Sequence, residues 1–349
     1  MTIAAGGTAG HVVPALAVAD ALRAQGVEVS FIGGERAEAQ LVPAAGYPLH
    51  RISVSGLSRS NPLAALRALA RAARAFLRAR KLLGELVPDA VMGGGGYVSG
   101  PVGLAAVTRR IPLVLTEADS HLGLANRALA PFARRVCLAF EPASTTNGRY
   151  RVTGRPIPPL QEDRAAARAR FGIEEHETCV LVFGGSLGAR SINLAAVEAY
   201  AEATFRVLHV CGRRDYPELE GRVLAQGYEL LEYLDLAAFA DALAAADLVV
   251  ARAGGSLFEV AAHGRPAILV PYPHAAADHQ STNARWMAQA GAAIVIPDGE
   301  LGAARLARET AALLADPQRL HAMAVASARL GRPEAAREVA RELLEAARG

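Results

Sequence analysis

Four glycine-rich runs are the parts of this sequence best suited to chemistry. They are Gly6-Gly7-Thr8-Ala9-Gly10-His11, residues 93–100, Gly184-Gly185-Ser186-Leu187-Gly188-Ala189 and residues 254–259. Glycine lets main-chain N–H groups come close to a ligand. Where such a turn opens a helix, the helix N-terminus adds roughly half a positive charge, which suits a diphosphate. None of the four has the spacing of a dinucleotide fingerprint or of a P-loop, and this disfavours a dehydrogenase. A plain strand-to-helix turn uses the same residues. Four in one chain, two of them at matching places, favour a ligand.

Polar side chains stand beside these turns. His11 carries an imidazole that titrates near neutrality and can take a proton from a hydroxyl; it could equally cap or position the turn. Glu259 offers two carboxylate oxygens to two adjacent hydroxyls, or is a solvated helix residue. Ser186 suits a phosphate or a helix cap. Asp119-Ser120-His121 resembles a hydrolytic triad in composition only, because triads are made in space and the nucleophile elbow is missing. His274, Asp278 and His279 are too loosely spaced for a metal, and no cysteine or further carboxylate joins them; no metal and no cofactor are expected.

The elements that must position these residues alternate. Apolar strand-like runs at residues 27–32, 90–92, 113–115, 179–183, 206–210, 248–251, 267–270 and 293–296 are separated by alanine-rich helical segments at 15–25, 62–86, 191–203, 257–263 and 301–314. This rhythm predicts parallel sheets covered by helices. Arg155-Pro156-Ile157-Pro158-Pro159 places three prolines in four residues and reads as an extended linker near the middle. The expected fold is α/β: two doubly wound domains facing across a cleft, with ligands at the carboxyl ends of the strands. The divisions are residues 1–155, 156–332, and a C-terminal helix in 333–349 that packs back on the first domain.

Bulk properties narrow the function. The chain has 349 residues, 52% hydrophobic and 20% charged, with a net charge of +3. That is enough for two cores and too little charge for a nucleic-acid field. The cysteines Cys137, Cys179 and Cys211 are odd in number and far apart, which argues against a disulfide framework or a thiolate metal site and for a reducing cytoplasm. No signal peptide or run of about 18 apolar residues is read. Membrane contact is therefore expected to be peripheral.

The ordered set of motifs is more specific than any one of them. The first glycine run, then Gly94-Gly95-Gly96-Tyr97-Val98-Ser99-Gly100-Pro101, then the run from Gly184, then His279-Gln280 ahead of Asn283-Ala284 resembles glycosyltransferase family 28 over essentially the whole chain. Within that family the likeness is to the enzymes that turn lipid I into lipid II in peptidoglycan synthesis, and so serve cell-wall biogenesis, cell shape and division. The resemblance implies a GT-B fold and metal-independent transfer from UDP-N-acetylglucosamine with inversion. It also implies an acceptor on undecaprenyl diphosphate and a place on the cytoplasmic face of the cell membrane. It implies Thr8, Ala9, Gly10 and Ser186 along the donor diphosphate, Glu259 on the ribose, and His279 and Gln280 on the donor sugar. Leu234, Gly255, Ser256 and Leu257 join the donor side; Tyr97 and Asn126 join the acceptor side. The sequence departs from the family at three places. Asp119 stands where asparagine is usual, which makes it both a donor contact and a second base candidate beside His11. The linker lacks the usual Asn-Pro-x-Arg, leaving Arg155, three residues earlier, to supply the charge. The turn before Glu259 is also one residue shorter than in many relatives. The rival readings are another GT-B enzyme, such as a diacylglycerol glycosyltransferase or a UDP-N-acetylglucosamine 2-epimerase, and a non-catalytic sugar-nucleotide binding module.

Residues 62–86 read as an amphipathic helix. Arg67, Arg71, Arg74, Arg78 and Lys81 form a basic stripe, and Leu63, Leu66, Leu69, Ala73 and Phe76 fall on another face. Near anionic lipid each cation is worth about 1 kcal/mol; an ordinary solvated face is the plain alternative. Ser55-Gly56-Leu57-Ser58 before it is expected to form a lip beside the acceptor.

Overall fold

The computed structural model describes the chain except residues 55–61, 142–147, 186–187, 223–224 and 276–277, and except the side chains of residues 62–70. Ser186, the segment 55–58, and Arg67, Leu63, Leu66 and Leu69 of the expected amphipathic helix therefore lie outside the described residues or side chains.

The chain divides into two compact units: Met1–Pro158 with Pro333–Gly349, and Pro159–Arg332. The first holds seven strands: β1 (Thr2–Ala4), β2 (Ser30–Gly33), β3 (Leu49–Arg51), β4 (Val91–Gly93), β5 (Leu113–Glu117), β6 (Arg135–Leu138) and β7 (Tyr150–Val152). The second holds six: β8 (Cys179–Phe183), β9 (Arg206–Val210), β10 (Tyr228–Leu231), β11 (Leu248–Ala251), β12 (Ala267–Leu269) and β13 (Ala293–Val295). Their orders are β3-β2-β1-β4-β5-β6-β7 and β10-β9-β8-β11-β12-β13, and every pairing is parallel. Each sheet is doubly wound, with its order reversing between β1 and β4 or between β8 and β11. The four glycine runs follow those four strands. This is the switch-point position where such sheets bind ligands.

The central strands are buried on both faces, as helices on both sides require. In the first unit, helix Ala9–Arg23 and the C-terminal helix Ala335–Arg348 cover one face. Val339, Ala340 and Leu343 pack there with Ile3, Met92 and Val114. Glu342 of the C-terminal helix pairs with Arg135 at 2.8 Å and Arg151 at 3.6 Å. Helices Pro62–Leu86 and Gly96–Thr108 cover the other face. Within Pro62–Leu86 the packed positions are Ala75, Ala79, Leu82 and Leu83, with Phe76 partly buried. Ala73 is exposed, a correction to its placement beside Phe76: the packed stripe runs one position further round the helix.

Helix Ala9–Arg23 begins six residues before the segment read from sequence. Pro14 lies inside it and looks like a breaker. Having no N–H, it leaves the Gly10 carbonyl without its helical donor. The Arg155 guanidinium donates to that carbonyl instead. The strand expected over 27–32 starts at Ser30, because the Val27 N–H closes the preceding helix on the Leu22 carbonyl. All three cysteines are free and buried. Burial pushes the Cys137 and Cys179 thiols up to about 12 and Cys211 up to about 11.

Candidate functional site

In the first unit the carboxyl ends of β1, β4, β5 and β6 surround a pocket of about 250 Å³. Five of the residues singled out above line it: Gly10, His11, Asp119, Asn126 and Arg155. His11 is in the first turn of helix Ala9–Arg23, with its ring against the second glycine run; a Cβ on Gly95 would lie 2.9 Å from Nδ1. Burial lowers its pKa, the Arg155 charge lowers it further, and Asp119 partly opposes both. The imidazole is therefore neutral at pH 7, the form that accepts a proton. Thr8 is the exposed N-cap residue, and its hydroxyl makes no cap bond. Ala9 and Gly10 begin the helix.

The loop after β5 is held by Glu117. Its carboxylate accepts from the Asp119 N–H at 3.2 Å, the Gly123 N–H at 2.8 Å and Asn126 Nδ2 at 2.9 Å. Asn126 is buried and also donates to the Thr116 carbonyl at 2.9 Å. Among the described residues its buried Oδ1 has no hydrogen-bond partner. Tyr97 does not offer its hydroxyl, which donates to Glu38 Oε1 at 2.8 Å; burial and then Glu38 push its pKa up to about 12. Arg36 lies 5.2 Å from the centre of the Tyr97 ring.

In the second unit the run from Gly184 opens helix Arg190–Ala199. Behind it lies a buried chain of hydrogen bonds whose direction is fixed. Asn193 Nδ2 donates to the Cys211 carbonyl and to Asp215 Oδ2, each at 2.8 Å, and both can only accept. Asn193 Oδ1 must then accept from His209 Nε2 at 3.1 Å, so the Nδ1 lone pair takes the Tyr228 hydroxyl at 2.7 Å. Burial holds the His209 pKa down to about 3, which keeps this tautomer neutral.

The fourth glycine run follows Arg252, a buried guanidinium at the end of β11. It donates to the Val270 carbonyl, to Asp298 Oδ1 at 2.6 Å and to Ser191 Oγ at 2.8 Å, fastening the β11 turn to the start of helix Arg190–Ala199. Gly255 and Ser256 are partly exposed turn residues, and Glu259 lies partly exposed on helix Leu257–Ala262. The Leu257 side chain is in the core and its N–H bonds the Gly254 carbonyl at 3.2 Å. Gln280 Oε1 accepts from the Tyr272 N–H at 2.9 Å, and its Nε2 is turned toward Gly254. His279 adjoins it at the start of helix His279–Gln289. Asn283 donates to the Ala253 carbonyl at 3.0 Å, fixing the turn. Leu234 is partly buried in the loop after β10. Among the described residues no three His, Cys, Asp or Glu side chains gather where a metal could sit.

Glu38, Glu117 and Arg252 were missed in the sequence. Only Arg252 left a signal there, as a charge ending an apolar run just before two glycines.

Two family models match the chain: the glycosyltransferase family 28 N-terminal domain over residues 1–138 and the C-terminal domain over residues 179–339. A Moorella thermoacetica protein named UDP-N-acetylglucosamine–N-acetylmuramyl-(pentapeptide) pyrophosphoryl-undecaprenol N-acetylglucosamine transferase is 42% identical, over 98% of both chains. A Stutzerimonas stutzeri protein of the same name is 40% identical over 99% of this chain and 98% of its own. Among solved structures, the Acinetobacter baumannii MurG superposes with a TM-score of 0.79 at 29% identity, over 99% of each chain. A UDP-GlcNAc 2-epimerase from Neisseria meningitidis has a TM-score of 0.70 at 15% identity, over 99% of each chain, a likeness of fold alone.

Proposed function

The chain belongs to glycosyltransferase family 28, and from that premise we propose that it moves N-acetylglucosamine from UDP-N-acetylglucosamine to the 4-hydroxyl of an N-acetylmuramoyl-pentapeptide on undecaprenyl diphosphate. The observation that carries the reading is the 42% identity, end to end, with a relative named for that transfer. The second unit holds the donor: Ser186 and the first turns of its helices meet the diphosphate, Leu234 borders the uracil, Glu259 takes the ribose, and His279 and Gln280 the sugar. The first unit presents the acceptor at the pocket beside Asn126.

The reaction is a single displacement. The muramoyl oxygen forms its bond to the anomeric carbon as the bond from that carbon to the β-phosphate oxygen breaks, so an α-linked donor becomes a β1,4-linked product. The hydroxyl proton passes to neutral His11, or to Asp119 as the second candidate. Negative charge grows on the departing UDP, where helix N-termini and main-chain N–H groups stabilise it. Radiolabelled sugar is expected to pass from UDP-N-acetylglucosamine to lipid I. Replacing Glu259 and Gln280 together is expected to abolish saturable donor use; turnover that persists in that double variant counts against the assignment of the donor site.

No helix among the described residues is long and apolar enough to cross a membrane. Helix Pro62–Leu86 exposes Arg71, Arg74, Arg78 and Lys81 together with Leu77, which is 63% exposed. This supports peripheral docking on the anionic cytoplasmic face of the membrane. With about 1 kcal/mol per cation, neutralising Arg74 and Arg78 to glutamine should weaken binding to vesicles rich in anionic lipid by about 30-fold. Unchanged sedimentation with those vesicles would remove this helix from the docking surface.

A further inference from the structure

Glu38 lies at the carboxyl edge of the first sheet with its side chain fully buried. Among the described residues no cation pairs with it. Three hydrogen bonds from other residues meet its charge: the Gly7 N–H to Oε2 at 2.8 Å, the Gly34 N–H to Oε1 at 2.9 Å, and the Tyr97 hydroxyl to Oε1 at 2.8 Å. These donors come from the loops after β1 and β2 and from the first turn of helix Gly96–Thr108 after β4, so one carboxylate gathers three strand ends. The chain leaves room for it. A Cβ on Gly6 or Gly34 would stand 2.7 or 2.9 Å from Oε1, and one on Gly33 2.9 Å from Cγ. Burial alone would raise the Glu38 pKa. The Gly7 bond, the N–H of Glu38 itself, and the Tyr97 and Gly34 bonds together outweigh it, and the carboxyl sits below its ordinary value.

Two of the three donors lead to His11. Gly7 is next to the N-cap of its helix. Tyr97 follows Gly95 and Gly96, which form the wall for the imidazole; a Cβ on Gly96 would be 3.4 Å from His11 Cδ2. A Cβ on Gly7 would touch both the Tyr97 ring and His11, at 3.5 and 3.9 Å.

We propose that Glu38 is a positioning residue for the transfer, clamping the turn that carries His11 to the glycine wall behind it. The inference rests on the reading of His11 as the acceptor's base. It requires an acceptor-only group and not merely a side chain of that size. Glutamine fills the same volume, but its NH₂ must face one of the two main-chain N–H groups, which then loses its partner.

The test compares Glu38→Gln, Tyr97→Phe and the double variant with wild type, using UDP-N-acetylglucosamine, lipid I and amide hydrogen exchange. Glu38→Gln is expected to lower kcat by about 100-fold, the effect of a displacement near 1 Å in a reacting group, with the donor KM near wild type. Tyr97→Phe lowers kcat less. The double variant is no slower than Glu38→Gln, since both changes open one clamp. Of the Gly7 and Gly34 amides, both protected in wild type, the one facing the glutamine NH₂ exchanges fast in Glu38→Gln. Wild-type kcat in Glu38→Gln overturns the proposal, and so does a double variant slowed by the product of the two singles. If Glu38→Gln does not fold, Tyr97→Phe decides: a fall in kcat supports the clamp, and unchanged kcat with a raised acceptor KM overturns it. A wild-type enzyme inert toward lipid I would defeat the functional reading alone; the exchange of the two amides then still judges the clamp.

Discussion

Replacing His11 by alanine is expected to lower kcat by about 10²–10⁴-fold, the range for loss of a general base, while donor affinity stays near wild type. The imidazole lines the pocket of the first unit and is held neutral by burial and by Arg155. A base must be unprotonated to work, so activity rises with pH through the pKa of His11. Because that pKa lies below the ordinary 6.5, the acid limb of kcat/KM should fall below pH 6.5.

The neighbours give the test its direction. Arg155 lowers the His11 pKa, so Arg155→Ala is expected to move the acid limb to higher pH. Asp119 raises it, so Asp119→Asn should move the limb lower while leaving appreciable activity. If Asp119 is itself the base, Asp119→Asn abolishes turnover and His11→Ala is the milder change. Full pH profiles of the three variants therefore separate the two candidates. An acid limb unmoved in Arg155→Ala would remove His11 from the proton path.

These expectations rest on features that the sequence displayed unevenly. Strands β8, β9 and β11 were legible because each is a run of four or five mostly apolar residues, long enough to stand out. Thr2–Ala4, Leu49–Arg51 and Tyr150–Val152 span three residues each and include polar ones, so they leave no apolar run to read. Pro14 hid the true start of the first helix because its missing bond is supplied by Arg155, 141 positions later in the chain. The glycine runs were readable since their composition is local. Glu38 was not: it acts on Gly7 and Tyr97, 31 and 59 positions away, through pairings that exist only once the sheet has formed. Glu117 ends β5 and Asn126 lies in helix Leu124–Leu129, but their role as a brace for the loop between them depends on which N–H groups the folded loop turns inward. Side chains that meet a ligand carry a chemical signature in sequence. Side chains that hold the main chain in place look like any other acid or amide.

Gly188→Ala is expected to be the most damaging single methyl in the second unit. Gly188 has φ +74° and a Cβ there would lie 2.0 Å from the Cys211 carbonyl oxygen. That oxygen cannot retreat freely, because Asn193 Nδ2 holds it at 2.8 Å and Asn193 is fixed in turn by His209 and Asp215. The backbone must therefore shift at the opening of helix Arg190–Ala199, where the diphosphate is proposed to bind. Strain of about 1–3 kcal/mol corresponds to UDP binding weakened roughly 5- to 150-fold by calorimetry, with a lower melting temperature. Gly185→Ala supplies the control within the same turn: φ is +96°, but among the described residues nothing lies within 4 Å of the added Cβ, so only the backbone cost remains. Equal losses in the two variants would mean that the Cys211 carbonyl does not brace the turn; a markedly greater loss at Gly188 would locate the brace in the buried chain from Tyr228 through His209 to Asn193.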